Sequence, residues 1–115
     1  MSDAGLDAVF AGKEPVVRTI YDRLIAAMKP FGPMTVEPKK TSIHIVRKSG
    51  FAGVHPRKSA ILLNIRSQAP IKSTRIRKME KVSANRCHNE LLLSAPADID
   101  KELLGWLRAA YDLSA

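Results

Sequence analysis

Apolar residues recur at intervals of three and four in two long stretches of the chain, which is the spacing of amphipathic helices. The first stretch begins near Pro15, a residue that suits the first turn of a helix, and ends before Pro30. Its apolar stripe consists of Val17, Ile20, Tyr21, Leu24, Ile25 and Met28. The second stretch covers residues 98–113, and Ser94 or Asp98 is expected to cap it. Its apolar face consists of Ile99, Leu103, Trp106, Leu107, Ala110 and Leu113.

Between these stretches the apolar spacing changes to every second residue, which is typical of β-strands. Residues 42–48 and 51–55 flank a Ser-Gly pair that favours a tight hairpin turn, and this turn would place His44 directly opposite His55. A second turn at residues 56–59 leads into a third strand. One face of these strands would carry Ile43, Ile45, Ala52, Val54, Ile61, Leu63 and Ile65. The opposite face would carry His44, Val46, Lys48, Phe51, Gly53, His55, Ala60, Leu62, Asn64 and Arg66.

The order of these elements predicts an α+β fold. Further strands at residues 34–37 and 88–93 bring the sheet to about five strands, mainly antiparallel because no βαβ alternation occurs. N-terminal helices, the first at residues 3–11, precede the sheet, and the C-terminal helix is expected to pack on one of its faces. Residues 67–82 are interpreted as a long connection, with a helical turn at 75–81. The 115 residues fit a single domain, 1–115.

Charge is distributed unevenly along the chain. The net charge is +8, and residues 39–88 hold thirteen Lys or Arg against one acid, Glu80, so this segment alone carries +12. The flanking residues hold six basic and ten acidic side chains, which gives −4 and restores the total of +8. Such asymmetry favours an anionic partner, although a solvated basic surface explains it equally well.

Several classes of function lack support in the sequence. The apolar runs are far shorter than the roughly 18 residues of a membrane span, so we predict no membrane partner and a cytoplasmic protein. The single Cys87 cannot form an internal disulfide and is interpreted as a buried apolar residue. His44, His55 and His88 form no local ligand pair, so no metal and no cofactor is predicted. No catalytic motif was found, and the chain is predicted not to be an enzyme.

Two hypotheses of binding remain. In the first, the basic segment binds nucleic acid or another polyanion, and Phe51 on the exposed sheet face stacks a base. The candidate contact residues are Lys48, Phe51, His55, Arg57, Lys58, Arg66, Arg75, Arg77 and Lys78. In the alternative, a protein partner or a second copy of the chain covers an apolar patch on that face, made by Val46, Phe51 and Leu62.

Four segments in combination resemble a bacterial family of small domains of unknown function, often labelled "predicted transport protein". They are Pro38-Lys39-Lys40-Thr41, the run from Phe51 through Val54-His55-Pro56-Arg57-Lys58, His88 before an apolar strand, and residues 94–98 before a helix that ends Ala110-Tyr111. The resemblance implies a helix, sheet, helix architecture, distantly similar to double-wing domains predicted to bind DNA. It implies no catalytic residue. Cys87 stands where this family usually has glycine.

Overall fold

A computed structural model describes residues 4–115. Three helices and six strands make up the fold, with short 3-10 turns at Lys29–Phe31 and Pro96–Asp98. The helices are α1 (Ala4–Phe10), α2 (Pro15–Met28) and α3 (Lys101–Leu113). The strands are β1 (Thr35–Pro38), β2 (Ile43–Val46), β3 (Gly50–Pro56), β4 (Ile61–Ser67), β5 (Ile76–Ser83) and β6 (Arg86–Leu93). Asp3, the first residue predicted for α1, lies outside the described residues.

The strands form one sheet in the order β1-β2-β3-β4-β6-β5, and each neighbouring pair is antiparallel. The predicted α+β class, with a C-terminal helix packed on the sheet, is confirmed. The sheet has six strands instead of about five because residues 76–83 form β5, so the predicted helical turn at 75–81 is wrong. As an edge strand, β5 pairs only with β6 and is largely exposed, so its sequence lacks the apolar alternation that identifies buried strands.

Helices α2 and α3 pack on one face of the sheet, which we call the covered face. The apolar stripes predicted for both helices are largely buried there, and each fully buried Leu or Ile contributes about 1.5–3 kcal/mol. Trp106 is only partly buried at the margin of this core. The strand residues at the centre of the core are Ile43, Ile45, Val54, Ile61, Leu63, Ile65, Leu91 and Leu93. Cys87 is also fully buried, as predicted.

Helix α3 begins three residues later than predicted. Its N-cap is Asp100, whose Oδ1 accepts a hydrogen bond from the Leu103 N–H at 3.0 Å. Asp98 instead belongs to the preceding 3-10 turn, where its Oδ2 accepts hydrogen bonds from the Ser94 and Ala95 N–H groups at 2.8 and 3.1 Å. An aspartate in each of two consecutive turns made the helix start ambiguous in the sequence.

The hairpin between β2 and β3 has three residues in its loop, at 47–49, instead of the predicted two. His44 therefore lies opposite Gly53, two positions from the predicted partner His55. A register shift of two residues preserves the faces of the strands, so the inward and outward residues of β2, and of β3 beyond the bulge, are those predicted. The pairing of β3 with β4 differs in the same way, with His55 opposite Leu62.

No helix within residues 4–115 is both long enough and apolar enough to cross a bilayer.

Candidate functional site

The face of the sheet opposite the helices, which we call the open face, contains a cleft of about 300 Å³. This sheet cleft spans β2, β3, β4 and β6. Its polar lining residues are His44, His55, Asn64, Arg66, Arg86 and His88, and its remaining lining residues are Gly50, Phe51, Ala52 and Gly53. None of the described residues that line it is acidic. The cleft is therefore lined by hydrogen-bond donors and by cationic or protonatable groups.

Gly53 leaves the gap in which this cleft lies. In the register of the sheet it sits between His44 on β2 and Asn64 on β4, so a side chain is missing between two that project outward. A Cβ atom at Gly53 would meet His55 Nε2 at 3.5 Å and Asn64 Cβ at 3.9 Å, which are ordinary contacts. A Cβ atom is thus tolerated at this position, between the side chains of His44 and Asn64.

Two arginines of the sheet cleft have unused hydrogen-bond donors. The Nε atoms of Arg66 and Arg86 are buried, and neither has a partner among the described residues. Arg66 is held by one bond, from Nη1 to the Ser49 hydroxyl at 3.0 Å. A buried donor without a partner costs about 1–3 kcal/mol. Both arginines also line the cleft, where an oxyanion would accept charge-assisted bonds from a guanidinium.

The three histidines of the chain all line this cleft. His88 lies opposite Arg66 in the pairing of β4 with β6, and His44 is exposed on β2. His55 is half-buried, and its pKa is lowered by burial and then by Arg57 and His44, against an opposing effect of Glu90. A neutral His55 can still donate one hydrogen bond, and protonation would add a positive charge to the cleft.

Carboxylates border the sheet cleft at both ends of one row of the open face. Toward β5, a smaller cleft of about 70 Å³ beyond Asn64 and His88 is lined by Glu80 and Glu90 together with Lys78. In the sheet register Lys78 lies opposite Glu90, and Glu80 lies opposite His88. Toward β1, Glu37 lies opposite His44. An anion in the sheet cleft would therefore be repelled away from both borders.

At the end of β3, the sheet cleft borders a second cleft, of about 370 Å³, which we call the loop cleft. His55 lines both clefts. The other polar lining residues come from the end of β3, the β1–β2 loop and the segment after α1: Arg57, Lys40, Thr41 and Lys13. The loop cleft therefore brings together parts of two segments that carried the family resemblance, and no described residue that lines it is acidic.

Phe51, the predicted stacking platform, is in the wrong place for that role. Its side chain is 1% exposed, and its ring packs edge-on against Tyr111 of α3 with centroids 5.5 Å apart. The cause is a β-bulge: Val46 pairs with Gly50 and Ile45 with Ala52, which leaves Phe51 as the extra residue. Bulges interrupt the alternation of side chains, and this one turns Phe51 into the core.

Arg75, a second predicted contact residue, is already occupied by acidic groups. Its Nη1 lies 3.0 Å from Asp100 Oδ1 and 3.2 Å from Glu102 Oε1, and its Nη2 donates to the Asp98 carbonyl at 2.7 Å. The Leu103 N–H and the Arg75 guanidinium both lower the pKa of Asp100. Arg75 therefore connects the start of β5 to α3 and is not available to a phosphate.

The remaining predicted residues divide between the clefts and other surfaces. His55 and Arg66 line the sheet cleft, and His55 and Arg57 line the loop cleft. Lys48, Lys58, Arg77 and Lys78 are exposed, but line neither of these two clefts. Arg77 and Lys78 belong to the edge strand β5, where charges discourage pairing with another sheet edge.

Sequence reasoning missed Arg86 as a site residue because the last strand was predicted to begin at His88. Two residues apart on one strand, Arg86 and His88 share a face, so a strand begun two residues earlier would have revealed it. Asn89 was also missed. It is fully buried, bonds the Ile65 carbonyl and the Ser67 hydroxyl, and accepts from the Ile71 N–H, so it fixes the segment after β4.

The apolar patch expected on the open face is largely absent. Phe51 is in the core, Leu62 is 8% exposed, and Val46 is half-buried. This removes the sequence argument for a homodimer on that face, while the oligomeric state itself stays a prediction. No group of three His, Cys, Asp or Glu residues suited to a metal ion occurs within the described part of the chain.

The fold and the clefts define a class: a small, basic α+β domain with one face of its sheet covered by helices and the other lined by cationic side chains. The chain belongs to a family described as a domain of unknown function, DUF5655, which matches residues 6–114. No curated protein and no solved structure matches the chain. The family agrees with the resemblance to small domains of unknown function, and its description names no ligand.

Proposed function

We propose that this domain is a non-enzymatic nucleic-acid-binding domain that holds phosphate groups in the sheet cleft. The observation that carries the proposal is that Arg66 and Arg86 line one cleft, together with three histidines and no acidic residue among the described lining. Arginine donors suit phosphate oxygens, and the bonds are charge-assisted. The +12 charge of residues 39–88 would attract the strand over a longer range.

The proposed contacts go to the backbone and not to the bases. Arg66 and Arg86 would bind phosphate oxygens, Asn64 and the histidines would add hydrogen bonds, and Phe51 takes no part because its ring lies in the core. Phosphate contacts carry no sequence information. Binding is therefore expected to show little sequence preference and to weaken steeply with salt.

Fluorescence anisotropy of a labelled oligothymidylate of about 12 nucleotides, at about 50 and about 200 mM salt, tests the proposal. Arg66→Gln and Arg86→Gln should each weaken binding about tenfold or more, because each loses a charge-assisted bond. Each should also reduce the slope of log K against log salt by about 0.7. Gly53→Val, which keeps every charge and fills the gap between His44 and Asn64, should weaken binding at an unchanged slope.

Arg23→Gln is the matched control, because Arg23 is an exposed arginine of α2 in the helical layer and its replacement removes the same charge. It should change the affinity less than about twofold, since a distant exposed charge is screened by salt. Absence of binding at about 50 mM salt with micromolar protein would refute the proposal. An equal loss with Arg23→Gln and Arg66→Gln would show only general attraction to a basic protein and would also count against the cleft.

A further inference from the structure

We infer that the bound nucleic acid is a single strand that runs from the sheet cleft past His55 into the loop cleft. This inference rests on the proposed function and adds a second phosphate subsite and a direction to it. The second subsite consists of Lys13, Lys40 and Arg57 around the loop cleft. The chain has thirteen Lys or Arg in its central segment and six in its flanks, and composition does not distinguish among them. The lining of the loop cleft selects these three.

Continuity between the clefts is the first argument. His55 lines both of them, so the two clefts are neighbours and meet at this side chain. The volumes, about 300 and about 370 Å³, are of similar size. A chain of phosphates, in contrast to a single phosphate, has repeating charges with which to occupy two neighbouring clefts at once.

Charge gives the path its direction. Toward β5 the sheet cleft meets Glu80 and Glu90, which would repel a phosphate, although Lys78 offsets part of that repulsion. Toward the loop cleft it meets Lys40 and Arg57, whose side chains are exposed. Glu37 lies opposite His44 on β1, so the route for a polyanion passes between these two acidic borders, from Arg66 and Arg86 toward Lys40 and Arg57.

The shape of the site selects a single strand. The donors of the sheet cleft belong to side chains that line it, so a phosphate has to enter the cleft to contact several of them at once. A single strand can rotate about its backbone bonds and follow a positively charged groove. A duplex holds its phosphates on a stiff cylinder, with a persistence length of about 150 base pairs, and cannot bend into two neighbouring clefts of a domain whose longest dimension is 38 Å.

The second subsite is tested by the dependence of affinity on strand length. Titrations would compare thymidine monophosphate, an oligothymidylate of about six nucleotides and a duplex of about 12 base pairs. We expect the oligomer to bind about tenfold or more tightly than the mononucleotide, and the duplex to bind more weakly than a single strand of equal length. The double variant Lys40→Gln with Arg57→Gln should remove most of the gain with length and weaken the oligomer more than the mononucleotide. Arg66→Gln should weaken both ligands.

The matched control is the double variant Lys39→Gln with Lys58→Gln, which removes two charges from adjacent positions. Both lysines are exposed and lie outside the lining of the loop cleft, and Lys39 Nζ is 3.8 Å from Glu37 Oε1. This variant should retain at least half of the gain with length. Equal affinities of the mononucleotide and the oligomer, an equal loss in the test and control variants, or preference for the duplex would overturn the inference and leave the proposed function standing. No binding of any ligand would overturn both.

Discussion

The two faces of the sheet are built from the same strands and differ in almost every physical property. On the covered face, Ile43, Val54 and Leu63 are fully buried against the helices. On the open face, the neighbouring positions are His44, Gly53 and Asn64, which border the sheet cleft. Because alternate residues of a strand project to opposite faces, stability and binding are assigned to separate sets of side chains. A substitution on the covered face should therefore change stability, and a substitution on the open face should change binding.

Arginines of the basic segment show the same contrast. Arg75 has acidic partners in Asp100 and Glu102 and also lies over the Trp106 ring, with its guanidinium carbon 5.7 Å from the ring centroid. Arg66 and Arg86 each keep a buried Nε without a partner among residues 4–115. The net charge of the segment counts these arginines equally, although only the latter two line the sheet cleft. A basic composition is thus evidence for an anionic ligand only after the occupied side chains have been subtracted.

The largest expected effect is on the covered face. Phe51→Ala should destabilise the domain by about 3–5 kcal/mol, since it leaves a cavity beside Tyr111 in the core. Urea unfolding followed by circular dichroism measures this change, and Phe51→Leu should cost clearly less. The opposite result would be a Phe51→Ala protein with nearly native stability and weak oligonucleotide binding. It would show that Phe51 acts on the open face and that the two faces do not separate stability from binding.

A smaller loss of stability is expected where β5 joins α3. Arg75→Gln should cost about 1–2 kcal/mol, because it removes partly exposed ion pairs and a charged hydrogen bond to the Asp98 carbonyl. The salt dependence of oligonucleotide binding should stay unchanged, since Arg75 lies in neither cleft. Arg77→Gln, an exposed change on the same edge strand, should alter stability by less than about 0.5 kcal/mol. A smaller slope of log K against log salt for Arg75→Gln would show that Arg75 contacts the ligand.

Sequence spacing predicts a helix or strand only where one of its faces packs against the core. Helix α2 and the faces of β4 followed from spacing alone, because every second or every third and fourth residue there meets the core. Strand β5 did not, since it is exposed and pairs on one side only. The bulge at Phe51 could not be predicted either, because alternation assumes regular pairing. In addition, the Ser-Gly pair predicts a loop of two residues, whereas the loop before the bulge has three.

The candidate site was predictable in part. His55 and Arg66 were selected from the sequence and do line clefts, because strand parity survived a register error of two residues. Arg57, in the turn after β3, also lines a cleft. Arg75 was selected for its charge, and only the tertiary contact with Asp100 and Glu102 reveals that it is occupied. The convergence of Lys40 with Arg57 likewise depends on loop positions that no periodicity in the sequence encodes.

The smallest expected effect is a reversal of pH dependence at His55. Its folded pKa lies below the ordinary value of 6.5 because of burial, Arg57 and His44, which together outweigh Glu90. As pH falls through about 6.5, the unfolded chain takes up this proton before the folded domain does, so His55 makes the unbound protein less stable. A phosphate in the cleft would raise the pKa again, so oligonucleotide binding should tighten over the same pH range.

Thermal unfolding with and without an oligothymidylate, at about pH 7.5 and about pH 5.5, separates these two signs. Without ligand, the His55→Gln variant should lose less stability on acidification than the parent protein. With ligand, the parent should gain more stabilisation at the lower pH than the variant gains. Equal ligand stabilisation of the parent at both pH values would show that protonation of the cleft does not strengthen oligonucleotide binding. If ligand stabilisation of the parent and of His55→Gln depended equally on pH, His55 would not contact the ligand. That result would contradict the proposed passage of the strand between the two clefts.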